Sequence, residues 1–141
     1  MSDNFQSCLR KGKIKKFSRG RLLAQKELKL ALEDLESARK SFNDKNHRWS
    51  IVQTYYSMFH SARSLLFNQN YREHSHFCLI EAIRELYVKK GSLSTLLLES
   101  LSKAKQLREA ADYYGDFSEL NAKKLLDEAE KFIIMAEELL K

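Results

Sequence analysis

The chain has 141 residues, a hydrophobic fraction of 43% and a net charge of +6, a length that suits one domain with a core of its own. It contains no proline and only four glycines, too little punctuation for a β-sandwich or barrel, and no run near the ~20 apolar residues of a membrane span. Two cysteines, Cys8 and Cys78, make no disulfide framework and suit a reducing interior; with no basic-then-apolar leader, a soluble cytoplasmic protein is expected.

The charge excess lies wholly at the amino terminus. Residues 1–21 hold seven basic side chains (Arg10, Lys11, Lys13, Lys15, Lys16, Arg19, Arg21) against Asp3 alone, while the remainder has eighteen of each sign. Residues 1–18 read as a basic lead-in. It is either an arm for phosphate backbones or an acidic partner, or a solvated segment anchored by Leu9, Ile14 and Phe17.

Residues 19–141 read as a single bundle domain. Leu28, Ala31, Leu35, Ala38 and Phe42 recur at three- and four-residue steps, the spacing of one helical face over 19–42. "NDKN" at 43–46 breaks that pattern with turn formers. A second helix runs from about His47 to Phe67, with Ile51, Tyr55, Met58, Phe59, Ala62 and Leu66 on its stripe. After "NQNYREHS", Ser75 is a plausible N-cap for a third helix reaching Val88. "KKG" at 89–91 is a stop signal. A fourth helix spans about Leu93 to Tyr113, and Ser118 caps a last one whose Ala122, Leu125, Ala129, Phe132, Ala136 and Leu139 form a heptad-like seam. Short connections imply antiparallel neighbours. The expectation is an all-α, up-and-down antiparallel bundle of four to five helices.

Polar residues near this core mark the candidate sites. Tyr56, His60 and Arg63 are four and three residues apart, so they share one stripe of the second helix, as groove residues or as long side chains reaching solvent. "YREHSH" places Arg72, His74 and His76 around a helix start, an anion-site arrangement. A metal held by His74, His76 and Cys78 has only weak spacing in its favour, so neither metal nor cofactor is expected. Arg108 falls on the stripe of Leu97, Leu101, Ala104 and Ala111 and needs a partner there. Asp112, one turn on, can pair with it; otherwise Arg108 can face a phosphate. Tyr113 and Tyr114 can stack on a base or finish the core.

At "YYSMFHSARSLLF", "SHFCLIEAIRELYVKKG" and "LREAADYYGDFSELNAKKLLDEAEKF" the chain resembles HEPN-domain proteins, the small stand-alone archaeal and bacterial kind. The likeness runs nearly end to end, from "LRKGKIKKF" to "AKKLLDEAEKF". It implies a helical bundle that pairs as a homodimer, a cleft handling RNA or nucleotides, and frequently a minimal nucleotidyltransferase partner in a toxin–antitoxin module. Active branches place an arginine and a polar residue a few positions before a histidine and cut RNA without metal. Here Arg108 and Glu109 match, but Asp112, Tyr113 and Tyr114 stand where the histidine belongs. Arg72 and His76 are one residue too close and precede a different helix.

Three functions are therefore expected in order. The first is a nucleotide- or RNA-binding HEPN protein that does not cut, using Tyr56, His60, Arg63, Arg108, Asp112 and Tyr113. The second is an endoribonuclease toxin using Arg108 with His60 or His76 brought close in space. The third is a structural partner protein without nucleotide affinity.

Overall fold

The computed structural model describes residues 1–113 and 118–141, and the side chains of 1–110 and 118–141. Six α-helices and one two-stranded ribbon are found among these residues: α1 Asp3–Arg10, β1 Ile14–Lys16, α2 Gly20–Asn43, α3 His47–Asn68, β2 Tyr71–Glu73, α4 His76–Ile83, α5 Thr95–Tyr113 and α6 Glu119–Leu139. The architecture is all-α apart from that ribbon. The long helices begin and end within two residues of the periodicity-based expectation, because each carries its own apolar stripe. Ser75 and Ser118 cap α4 and α6 through their side-chain oxygens, which accept from the amides of Cys78 and Asn121.

The α2–α3 hairpin is the frame. A three-residue turn with Lys45 at φ 61° reverses the chain. Ala24, Ala31 and Ala38 recur every seven residues on α2 and are buried, as are Ser50, Ser57 and Ser64 on α3. Small side chains on both faces let the backbones approach closely. The hydroxyls of Ser50 and Ser57 then donate to the carbonyls of Ala38 and Ala31 across the seam at 2.9 and 2.8 Å, which satisfies them without water. At the other end of the hairpin, a Cβ on Gly20 would come 2.3 Å from the Phe67 carbonyl oxygen. Only glycine fits.

α3 is the central helix, touching α2, α4, α5 and α6. The predicted seam of α6 is buried at Ala122, Leu125, Ala129, Phe132 and Ala136. The third predicted helix is α-helical only to Ile83 and continues as a π-helical turn over Arg84–Val88. That widening serves Tyr87, whose hydroxyl donates to the Leu65 carbonyl at 2.8 Å. Gly91 then stops the chain at φ 79°, a left-handed conformation that favours glycine.

The amino-terminal segment holds two features that periodicity did not signal. Ser2 caps α1, and its Phe5 and Cys8 are buried. Contrary to the expectation of separate reduced thiols, Cys8 is disulfide-bonded to Cys78 on α4, a sequence separation of 70. The second feature is the pairing of β1 with β2, antiparallel, with Ile14 opposite Glu73, Lys15 opposite Arg72 and Lys16 opposite Tyr71. Three-residue strands of mixed character carry no alternation long enough to be read. Among the described residues, no helix is long and apolar enough to cross a membrane.

Candidate functional site

Tyr56, His60 and Arg63 do share one stripe of α3, spread over ~10 Å of helix axis. Their partners differ, however, and divide the stripe in two. The His60 Nδ1 lies 2.6 Å from a Glu27 carboxylate oxygen and its Nε2 3.7 Å from Asp34. Glu27 and Asp34 stand seven residues apart on α2, two turns, so one imidazole spans both. Burial raises the Asp34 pKa, partly offset by the nearby His60. The Arg63 Nε meets both Glu73 oxygens at 3.3 and 3.1 Å, and its Nη2 reaches one of them at 2.6 Å. Glu73 is 6% exposed, so this charge-assisted bond fastens β2 to α3. Both basic groups of the stripe are thus occupied by carboxylates, and neither points into bulk water.

Tyr56 belongs to a different neighbourhood. Its hydroxyl accepts from the Arg108 Nη2 at 3.1 Å, which joins α3 to α5. The Arg108 guanidinium lies 5.6 Å from the Tyr56 ring centre and 6.0 Å from that of Tyr55. Its Nε is buried without a hydrogen-bond partner among the described residues. The expected pairing with Asp112, and the roles expected of Tyr113 and Tyr114, fall outside the described side chains.

His76 is turned inward, away from Arg72 and His74, so the three do not form the anion cluster that their spacing suggested. Helix α4 turns it inward, while Arg72 within β2 and His74 just after it stay exposed. Its ring stacks on Tyr55 at 6.0 Å and on Phe59 at 6.5 Å. Burial, reinforced by the Lys105 charge and opposed by Glu109, pushes its pKa down to about 4. His76 is therefore neutral at pH 7, and its Nε2 is buried without a hydrogen-bond partner among the described residues. A cavity of about 430 Å³ between α4 and α5 is lined by His76, Phe77, Arg84, Lys105 and Glu109, among others. Tyr55, whose pKa burial pushes up to about 12, is the ring that Arg108 and His76 have in common.

No group of three or more His, Cys, Asp and Glu residues that could hold a metal is found among the described residues. Cys78, one member of the weak metal candidate, is bonded to Cys8. The sequence reading missed Glu27, Asp34 and Glu73, which decide what His60 and Arg63 do. A signal existed for the first two: they flank Ala31 at a seven-residue interval on the α2 face that periodicity assigns to the core. Nothing local marked Glu73.

Compared with known proteins, residues 24–139 match the model of the HEPN domain family. A protein of Methanocaldococcus jannaschii named "Putative toxin MJ0605" is 30% identical over 115 residues, which covers 81% of this chain and 86% of that one. A second from the same organism, named "Putative toxin MJ0142", is 25% identical over 89 residues, covering 63% of this chain and 60% of the relative.

Proposed function

Because the chain belongs to the HEPN domain family, we propose that it is a nucleotide- or RNA-binding member working as the toxin-type half of a two-protein module. In this reading it forms a homodimer, partners a minimal nucleotidyltransferase and does not itself cut RNA. The names of the two Methanocaldococcus jannaschii relatives support the toxin side. One observation carries the binding reading. The Tyr56 hydroxyl and the Nη2 of the Arg108 guanidinium meet at the surface. Among the described residues the Arg108 guanidinium meets a neutral hydroxyl and no carboxylate, whereas Arg63 is paired with Glu73 and His60 sits against Glu27. A phosphate at Arg108 gains charge-assisted bonds, and Tyr56, 37% exposed, offers a face for a base.

The same geometry supports the non-cleaving reading. Strand cleavage by 2′-hydroxyl attack needs a base to take that proton and an acid to protonate the departing 5′ oxygen. No histidine contacts Arg108 among the described residues. His76, which shares the neighbour Tyr55 with Arg108, has a pKa of about 4 and is not an acid at pH 7.

Anisotropy titration of labelled single-stranded RNA and mononucleotides tests the proposal. Arg108→Ala is expected to weaken binding about tenfold, in keeping with the loss of one charged hydrogen bond of ~1.5 kcal/mol. A second reading, an endoribonuclease using Arg108 and His76, is favoured by their common neighbour Tyr55. There the neutral His76 takes the 2′-hydroxyl proton, a 2′,3′-cyclic phosphate forms, and water protonates the 5′ oxygen. Metal-independent products with cyclic phosphate ends, abolished by His76→Ala, replace the first reading with the second.

A further inference from the structure

The basic amino-terminal residues are not a loose arm. The β1–β2 ladder is extended at both ends by backbone bonds, from the His74 amide to the Lys13 carbonyl at 2.8 Å and from the Phe17 amide to the Asn70 carbonyl at 2.7 Å. Ile14 and Glu73 face inward and are buried, while Lys13, Lys15, Arg72 and His74 are exposed. By strand alternation, Lys13 and Lys15 stand side by side on the outer face, opposite His74 and Arg72. Lys15 and Arg72 are direct cross-strand partners, a like-charge pair that destabilises a ribbon.

No ion pair relieves that repulsion among the described residues. Among the described residues, Arg10, Lys11, Lys13, Lys15, Lys16 and Arg19 make no ion pair. Elsewhere in the fold, basic residues such as Arg39, Arg63, Arg84, Lys89 and Lys123 do so. The ribbon therefore keeps an uncompensated row of cations in fixed positions, at a cost to its own stability. At its end Phe17 lies 5.0 Å from Phe67 and 5.6 Å from the Arg72 guanidinium. These side chains, with Lys26 and the His60-bound Glu27, border a cavity of about 200 Å³. Cations in a row beside an aromatic recess are the two parts of a single-strand binding surface. An acidic protein surface would use the charge but not the recess.

We propose that the outer face of the β1–β2 ribbon binds single-stranded RNA. Its phosphates lie along Lys13, Lys15 and Arg72, and a base is received beside Phe17. β1 precedes the segment matched by the HEPN family model, which begins at residue 24. The inference rests on the RNA reading above but names a second surface, remote in function from the Tyr56–Arg108 corner.

The test is anisotropy titration of a labelled single-stranded oligouridylate over a salt series. It compares the unmodified protein with Lys13→Gln/Lys15→Gln/Arg72→Gln and with Arg108→Ala. Every cation removed from a single-strand phosphate lowers the salt slope by ~0.7, so the triple variant should lose a slope of about 2 and about a hundredfold in affinity at ~0.1 M salt. An unchanged slope in the triple variant, with binding still weakened about tenfold in Arg108→Ala, overturns the ribbon and leaves the proposed function standing. The converse pattern overturns the Tyr56–Arg108 corner alone. No RNA binding by the unmodified protein, or displacement of RNA by poly-aspartate as effective as by unlabelled RNA, also overturns the ribbon proposal. Lys15→Glu guards against a folding artefact. It converts the cross-strand repulsion into a pair, so it should raise the melting temperature while weakening RNA binding.

Discussion

Replacing Arg63 by Met separates a girder from a ligand-binding residue. The Glu73 side chain is 5% exposed and Arg63 is 22% exposed, with their charged atoms 2.6 Å apart. Removing the guanidinium strands a carboxylate inside the joint between β2 and α3. Breaking a buried pair on one side costs about 3–5 kcal/mol, and the partial exposure of Arg63 puts this case at the low end, about 3 kcal/mol. With m near ~2 kcal/mol/M in urea, the midpoint falls by about 1.5 M. Equilibrium unfolding followed by circular dichroism measures it. Glu73→Leu alone leaves a cation that can turn outward, so its cost should be smaller. The double variant Arg63→Met/Glu73→Leu should recover most of the loss, because well-packed apolar replacements of a buried pair are often neutral. A double-mutant cycle then gives a coupling of ~2 kcal/mol or more. If Arg63→Met unfolds within ~0.5 kcal/mol of the unmodified protein, or if the two single changes add, the pair does not hold the ribbon and the reasoning fails.

Other consequences are open to direct measurement. The Cys8–Cys78 bond spans a sequence separation of 70, and loop-closure entropy for that length gives about 4 kcal/mol. Scanning calorimetry with and without dithiothreitol should show a Tm lower by roughly 10–15 °C on reduction; an unmoved Tm means packing alone holds α1. His76 has a folded pKa of about 4 against ~6.5 when unfolded, so the unfolded chain binds its proton first as pH falls. The stability it confers is complete above pH ~6.5 and lost toward pH ~4, on the order of 1–2 kcal/mol for a partly exposed ring. Urea midpoints across that window should decline less in His76→Phe, and parallel curves would contradict the assignment. Ala31 is fully buried in the small-residue seam, where its carbonyl accepts from Ser57. Ala31→Leu forces α2 and α3 apart, costs about 2–3 kcal/mol and should lower Tm without changing the disulfide content; an unchanged Tm would show that the seam has room.

The long helices, the caps at Ser75 and Ser118 and the up-and-down bundle could be read from the sequence alone, whereas α1 and its Ser2 cap were not. A 3.6-residue period and a serine before it are local properties, and each segment carries them complete. The caps at Ser75 and Ser118, the α6 seam and the common stripe of Tyr56, His60 and Arg63 all follow from such short-range rules. What each polar side chain meets does not. His60 is engaged by carboxylates about thirty residues earlier, Glu27 and Asp34; Arg63 by a strand across the following turn; and Arg108 by a hydroxyl 52 residues away. The ribbon and the Cys8–Cys78 bond join segments more distant still. These pairings arise only once packing has fixed how far each helix is rotated about its axis and where its ends lie. That is why the sequence could nominate Arg108 and His76 separately, and only the tertiary structure could set them around one tyrosine.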